Sequence, residues 1–287
     1  MAKNPLLILA GKKDAVAKAF ARYARKQGSS VLVAAPNMLW RKLLPQLRVS
    51  ETCEIISSLG QIPVFNRVGT LREEAWDAWS PDDRHYAAME SSAALLAFLA
   101  CHPAVVNRPK PHDFSGCGLR SVEQLTLGRS LGLQTPAWLA TSELGEALDF
   151  LSDCHQTAIY RKNSEDIFDF PLATQGRLPI KENRLTTAVF LINGHRGYPI
   201  VSTYAFGRVW HFNPVEKKPV ELDGQEGHLR SFFDSCGLDF GQAIGIKLSG
   251  SNDYVFYGAT GFPQYRFYRE LSQEIHEILW KGIGGLL

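Results

Sequence analysis

The chain has 287 residues, of which 45% are hydrophobic and 21% charged, a composition typical of a folded protein with more than one compact module. Its 31 basic and 29 acidic residues give a net charge of +2, which excludes a dedicated nucleic-acid binder held by a strong positive field. The longest apolar run, residues 93–101, is shorter than the roughly 20 residues that span a bilayer. Five scattered cysteines without metal or redox spacing agree with a reducing compartment, so we expect a cytoplasmic protein with neither membrane nor nucleic-acid partners.

The first 109 residues alternate short apolar runs with segments of helical periodicity. This alternation is typical of β-α-β units and predicts an open α/β domain with a parallel sheet. The pattern favours strands at 5–10, 30–35, 62–66 and 104–109, and helices at 13–26 and 82–101.

The loop 110–118 follows Pro109, holds one more proline and two glycines, and is the clearest domain boundary. Helices at 121–131 and 142–151 and a strand at 157–161 follow it. From residue 186 the pattern becomes mainly β, with a helix at 225–235, paired strands at 242–248 and 254–257, and a terminal helix at 266–279. We therefore divide the chain into an N-terminal domain 1–109, a central lobe 110–185 and a C-terminal β-rich lobe 186–287.

Three motifs occur in a meaningful order along the chain. Asn66-Arg67 ends a strand, Asn107-Arg108-Pro109 ends the N-terminal domain, and the run Gln124 to Trp138 reads QLTLGRSLGLQTPAW. This layout resembles the ATP-grasp superfamily, and within it the RimK-like and graspetide (microviridin-type) peptide ligases. The resemblance implies an α/β and α+β fold, in which a pre-ATP-grasp α/β domain is followed by two ATP-grasp-like lobes. It also implies that ATP binds between two sheets and activates a carboxylate, as an acyl phosphate, for attack by an amine.

The same resemblance places candidate nucleotide-binding residues. Arg161 and Lys162 stand at the strand end that faces the phosphates in the family, and Arg120 lies beside Ser121, the position of the first phosphate lysine. Lys247 adds a positive charge close to the family's metal site. We expect these four side chains to contact any nucleotide that binds.

The metal-binding positions of the family are altered here. Gly245, Gly258 and Thr260 stand where the family carries Asp, Glu and Asn. Since Mg²⁺ needs carboxylate oxygens, we expect no metal site formed by these positions. The sequence therefore favours a degenerate pseudo-enzyme, acting as a binding or accessory subunit of a peptide-modifying or other biosynthetic system.

Two alternatives stay open. An active ATP-dependent carboxylate–amine ligase would need metal ligands from elsewhere, and the acidic candidates are Glu165, Asp166, Asp169, Asp234 and Asp239. The other alternative is an unrelated α/β protein with a non-enzymatic role.

The segment 261–268 mixes aromatic residues with arginine. Such residues are enriched at the centres of protein interfaces. We expect this segment to contact a protein or peptide partner, or a second copy in a homo-oligomer.

Overall fold

We describe a computed structural model of the chain. It describes residues 5–35, 48–49, 55–56, 62–69, 80–110, 113–114, 118–154, 159–160, 180–181, 184–185, 189–222 and 224–286.

The N-terminal part is a parallel four-stranded sheet in the order β2-β1-β5-β6. Its strands are β1 (Pro5–Ala10), β2 (Ser30–Ala34), β5 (Val64–Arg67) and β6 (Val105–Val106). A separate two-stranded antiparallel pair, β3 (Arg48–Val49) and β4 (Ile55–Ile56), lies between β2 and β5 in the sequence. The predicted parallel α/β arrangement is confirmed.

Helices cover both faces of this sheet. In β1, Leu6, Ile8 and Ala10 join one apolar cluster with helix α1 (Ala15–Lys26), whereas Leu7 and Leu9 join another with helix α2 (Pro81–Cys101). This alternation follows from the two-residue period of a strand. It explains why β1 is a continuous apolar run, as strands of buried parallel sheets are.

The next segment forms helix α3 (Ser121–Ser130) and a small antiparallel sheet. That sheet has the order β7-β11-β8, with β7 (Trp138–Thr141), β8 (Ile159–Tyr160) and β11 (Val189–Ile192). Helix α4 (Leu144–Asp153) packs on it through Ala147 and Leu191. A short pair, β9 (Ile180–Lys181) and β10 (Arg184–Leu185), is also described.

The largest sheet is antiparallel and has the order β14-β13-β12-β15-β16. Its strands are β12 (Gly197–Ala205), β13 (Arg208–Asn213), β14 (Lys218–Val220), β15 (Phe240–Leu248) and β16 (Tyr254–Thr260). Helix α5 (Glu226–Ser235) and helix α3 pack on one of its faces. The main apolar core lies there, and Phe232, Phe233 and Phe256 contribute large buried rings to it.

The C-terminal helix starts later than the sequence pattern indicates. Residues 265–271 form two short 3-10 turns, and helix α6 runs over Ser272–Gly285. Tyr268 interrupts the helix with φ −135°, and its ring is completely buried against Phe240 and Tyr265. Burial of this ring outweighs helix propensity and determines the backbone conformation at Tyr268.

Helix α6 packs in the apolar cluster formed with α1 and the N-terminal sheet, and not in the main apolar core of the large sheet. Ile275, Leu279 and Ile283 share one cluster with Phe20 of α1 and Phe240 of β15. Helix α6 therefore joins the N-terminal sheet and α1 to the large sheet. Among the described parts of the chain, no helix combines the length and apolar character that crossing a membrane requires.

Candidate functional site

Strands β15 and β16 carry the positions at which the metal ligands are altered, and their pairing shows which side chains share a face. Gln242 lies opposite Thr260 and Ile244 lies opposite Gly258, and the register then shifts so that Gly245 lies opposite Phe256. Paired residues share a face and successive residues alternate. Thr260 and Gly258 therefore share a face with Gln242 and Ile244, and Gly245 belongs to the opposite face.

The face that carries Gly245 is the one covered by α3 and α5. Phe256, opposite Gly245, contacts Phe232 of α5, and an ideal Cβ on Gly128 of α3 would lie 3.1 Å from the Phe256 ring. The three altered positions, taken together in the sequence analysis, are thus divided between two faces. Alternation along β15 causes this division, since Gly245 directly follows Ile244, and the bulge at Tyr257 turns Phe256 to the face of Gly245.

Gly245 is closely covered by an aromatic ring. An ideal Cβ built on it would lie 2.3 Å from ring atoms of Tyr254, which is completely buried. Burial raises the pKa of the Tyr254 hydroxyl, and the Ser202 side chain lowers it in part. Gly245 therefore accommodates a buried tyrosine, and no larger side chain fits there unless Tyr254 moves.

The face that carries Gly258 and Thr260 holds amide, hydroxyl and aliphatic groups. Gln242 Nε2 donates to Thr203 Oγ1 (2.9 Å), and Gln242 Oε1 accepts from the backbone N–H of Gln264 (2.6 Å). Thr260 Oγ1 accepts from the backbone N–H of Phe262 (3.1 Å). These polar groups are engaged in holding the turn after β16, and the described residues of the chain contain no cluster of three or more His, Cys, Asp or Glu side chains suited to a metal ion.

Two of the acidic candidates, Asp234 and Asp239, have structural partners. Asp234 Oδ1 accepts from the Tyr204 hydroxyl, and Asp239 Oδ2 accepts from the backbone N–H of Asn107 (2.8 Å). Burial raises the pKa of the Asp239 carboxyl, and the Asn107 hydrogen bond and the Arg108 charge oppose that effect. Asp234 thus links α5 to β12, and Asp239 links the start of β15 to the residue after β6. The other three candidates, Glu165, Asp166 and Asp169, lie outside the described residues.

Asn107 is the polar centre of the contact between the N-terminal sheet and β15. It adopts φ 56°, a left-handed conformation that Asn tolerates better than most residues. Its Oδ1 accepts from the backbone N–H groups of Asp239 (3.0 Å) and Phe240 (2.9 Å), and its Nδ2 donates to Phe240 O (2.6 Å) and Gly261 O (3.2 Å). One side chain therefore ties the end of β6 to β15 and to the turn after β16.

The four nucleotide candidates are only partly described. Arg161 and Lys162 lie outside the described residues. Arg120 directly precedes α3, and its backbone N–H donates to the Glu123 carboxylate (2.6 Å). The Arg120 side chain is exposed and takes no part in that bond. Lys247 lies opposite Tyr254, at the start of β16.

Arg120 and Lys247 are not brought together. Helix α3 runs along β16 with Gln124 Oε1 accepting from Ala259 N (2.7 Å), so Arg120 lies beyond the far end of β16 from Lys247. The five residue-to-residue steps from Tyr254 to Ala259 alone span roughly 17 Å at strand rise. One nucleotide phosphate cannot contact both side chains. Their assignment to a nucleotide site stays a prediction.

A second polar cluster lies where the small sheet meets the large one. His195, between β11 and β12, has its Nδ1 2.7 Å from the hydroxyl of Tyr257, the bulged residue of β16, and that hydroxyl donates to Asn193 O (3.2 Å). Burial lowers the pKa of His195, which favours its neutral form. Sequence reasoning did not find this contact, because it depends on the bulge.

Comparison with known proteins agrees with this architecture. No protein-family model matches the chain, and no curated protein matches it. Among solved structures, the ATP-grasp ligase PsnB complexed with minimal precursor, Mg and ADP has a TM-score of 0.72 at 16% identity, covering 97% of this chain and 98% of that one. The macrocyclase MdnC from Microcystis aeruginosa MRC, bound with precursor peptide MdnA, has a TM-score of 0.72 at 16% identity, covering 96% and 99%.

A more distant match completes the comparison. A RimK domain ATP-grasp protein from Sphaerobacter thermophilus DSM 20745 has a TM-score of 0.59 at 11% identity, covering 97% of this chain and 99% of that one. These identities are low, so the likeness carries the fold and leaves activity to be argued from the site. Since the matches extend over almost the whole length, the chain has the ATP-grasp fold of the RimK-like peptide ligases, as the order of its sequence motifs indicates.

Proposed function

We propose that this chain is an ATP-grasp pseudo-enzyme that binds a peptide as an accessory subunit of a peptide-modifying system. It would use the fold for recognition and leave the ligation chemistry to another protein. The scattered cysteines agree with a reducing compartment, so we also propose a cytoplasmic location.

One observation carries the pseudo-enzyme part. On the face of β15 and β16 that holds Gly258 and Thr260, the neighbouring positions are Gln242 and Ile244, and none of these four has a carboxylate. Magnesium binds to ATP-using sites through carboxylates together with phosphate oxygens. Without such ligands, the triphosphate would lack the ion that neutralises its charge and aligns it for transfer, which is worth several kcal/mol of barrier.

The peptide part is supported by the structural neighbours. PsnB and MdnC have the same fold and are each described in complex with a precursor or precursor peptide. The aromatic and arginine-containing segment 261–268 follows directly on β16, beside the altered positions. In this segment Arg266 lies 4.5 Å from the centroid of the Phe267 ring. Such stacked side chains offer a contact surface for a peptide.

ATP or ADP binding without turnover is a further part of the proposal. Arg161 and Lys162 are the residues that would contact phosphate. Each charge-assisted contact of this kind contributes about 1.5–3 kcal/mol. Calorimetric titration of ADP into the wild type and Arg161→Ala tests this, with the exposed Arg230→Ala as the matched control. Equal affinity in all three proteins would remove Arg161 from the site.

The decisive experiment is a turnover assay. ADP release is measured with Mg²⁺ or Mn²⁺, with and without candidate acidic peptides and partner proteins. We expect release at the background level in every combination. A metal-dependent rate near about 1 per second, in the ordinary range of enzymes, would contradict the pseudo-enzyme proposal and establish the active-ligase alternative.

A further inference from the structure

Helix α1 carries a purely basic stripe on its exposed side. Its charged residues are Lys18, Arg22, Arg25 and Lys26, and the helix contains no acidic residue. All four are exposed, whereas Phe20 and the small residues around it are buried on the opposite side. At about 100° per residue, Lys18, Arg22 and Arg25 lie within about 60° of one another around the helix axis. These three residues therefore form one row along the exposed side of α1, which we call the basic stripe.

Helix α4 carries the opposite charge in the same way. Its charged residues are Glu146, Asp149 and Asp153, and the helix contains no basic residue. All three are exposed, and Ala147 packs on the small sheet instead. They too lie within about 60° around the helix axis and form the acidic stripe. Thr141 Oγ1 donates a hydrogen bond to Glu146 Oε2 (2.5 Å), which leaves the charge of that carboxylate in place.

The two stripes match in spacing when the helices run antiparallel. The residues of the basic stripe follow one another at intervals of four and three positions. The residues of the acidic stripe, taken from the C-terminal end of α4, follow at the same intervals. At a rise of 1.5 Å per residue, each stripe is about 10 Å long. The three facing pairs are Lys18 with Asp153, Arg22 with Asp149, and Arg25 with Glu146.

Neither stripe is neutralised by the described residues of its own chain. Within the ranges that the structure describes, no ion pair involves any of the six side chains. Arg25 Nη2 donates to the backbone oxygen of Val31 (3.2 Å), which carries no net charge. The net charge of the chain is only +2, so two copies do not repel each other strongly. Both stripes are therefore charged, exposed and accessible to a second molecule.

We propose that the basic stripe of α1 in one copy of this chain docks on the acidic stripe of α4 in a second copy. A second copy is the occupant because the chain itself carries both complementary charges at matching intervals. The contact joins two different faces and is therefore heterologous, so a pair of copies keeps one free stripe at each end and can add further copies. This self-association goes beyond the proposed function and does not depend on it.

The contact is weak and depends on salt. Helices of 12 and 10 residues are about 18 and 15 Å long, so one helix pair buries less than the roughly 1,200–2,000 Å² of a stable complex. Exposed ion pairs contribute little individually and are screened by salt. Complementary charge determines orientation and the rate of encounter more than affinity. The assembly therefore forms at low salt and high protein concentration.

Analytical ultracentrifugation of the full chain over a range of concentrations tests the contact. At about 0.1 M sodium chloride, where the Debye length is about 10 Å, we expect the weight-average mass to rise with protein concentration. At about 1 M, where the Debye length is about 3 Å, it should approach the mass of one chain. Arg22→Glu and Asp149→Arg each place like charges opposite each other at the centre of the contact. Either change alone should weaken the association about 10-fold.

Combining the two charge reversals gives the decisive measurement. A chain that carries both Arg22→Glu and Asp149→Arg again has opposite charges at the centre, in exchanged positions, and should associate as the wild type does. An equimolar mixture of the two single variants should also associate, because each stripe of one variant is complementary to a stripe of the other. Arg230→Glu is the matched control, since it makes the same charge change at an exposed residue of α5. It should leave the association unchanged.

Several results would overturn the proposal. They are a wild type with the mass of one chain at every concentration at the lower salt, equal association of wild type and Arg22→Glu, and a double reversal that associates no better than either single variant. Association that persists at about 1 M salt would also contradict it and assign the contact to an apolar surface. Circular dichroism confirms that each variant is folded, which we expect because both substituted residues are exposed. Failure of this test leaves the turnover and nucleotide-binding experiments unaffected.

Discussion

Replacing Asn107 by Ala should destabilise the protein more than any other single polar truncation at the domain junction. The four hydrogen bonds of its side chain all reach residues more than 130 positions away. Their loss leaves the N–H groups of Asp239 and Phe240 without an acceptor, at about 1–3 kcal/mol each for buried groups. The φ of 56° adds about 1–2 kcal/mol for Ala in a left-handed conformation. The sum is about 5 kcal/mol, comparable to the whole stability of many domains.

Urea unfolding followed by circular dichroism and by tryptophan fluorescence measures this loss. Asn107→Gly is the matched control, because it removes the same hydrogen bonds but adopts φ 56° without strain. We expect Asn107→Gly to be destabilised by about 1 kcal/mol less than Asn107→Ala, the part due to backbone strain. If Asn107→Ala stays within about 1 kcal/mol of the wild type, the junction does not depend on these bonds and the reasoning fails.

Three further predictions concern single contacts. Gly245→Ala should destabilise the fold by about 1–3 kcal/mol in urea unfolding, because its Cβ meets the Tyr254 ring; unchanged stability would show that the ring moves freely. Burial lowers the pKa of His276 to about 4, so the folded state resists protonation and stability falls with pH from 6.5 towards 4. The loss due to His276 should be about 2 kcal/mol at pH 5. His276→Phe should remove that part and leave the similar part due to His211, whose pKa burial also lowers to about 4, whereas an unaltered profile would exclude His276 as a cause. Gln124→Leu should cost about 1–3 kcal/mol in urea unfolding by leaving Ala259 N without an acceptor, and unchanged stability would contradict this.

Several features of the fold could be predicted from the sequence because they depend on local patterns. The two-sided apolar run 5–10, the helix at 15–26 and the turn residues after Asn107 encode a parallel α/β domain without reference to distant residues. The order of the motifs indicated the ATP-grasp fold, which the structural matches confirm. The division of the chain at residues 109 and 185 stays a prediction.

The site required tertiary structure, since its contacts join residues that are distant in the sequence. Arg67 and Asp14 are 53 positions apart, and Asn107 and Phe240 are 133 apart. Local periodicity cannot show that a polar residue ending a strand will meet such a partner.

Strand facing was the other feature that only the tertiary structure decided. The sequence analysis placed Gly245, Gly258 and Thr260 in one site, yet Gly258 and Thr260 pair with Ile244 and Gln242 of β15, and Gly245, the residue after Ile244, faces the other way. The bulge at Tyr257 adds one residue to β16, and because side chains alternate with a period of two, it turns Phe256 to the face of Gly245 instead of that of Gly258. The sequence alone determines which residues form strands, and the pairing of those strands in three dimensions determines which side chains meet.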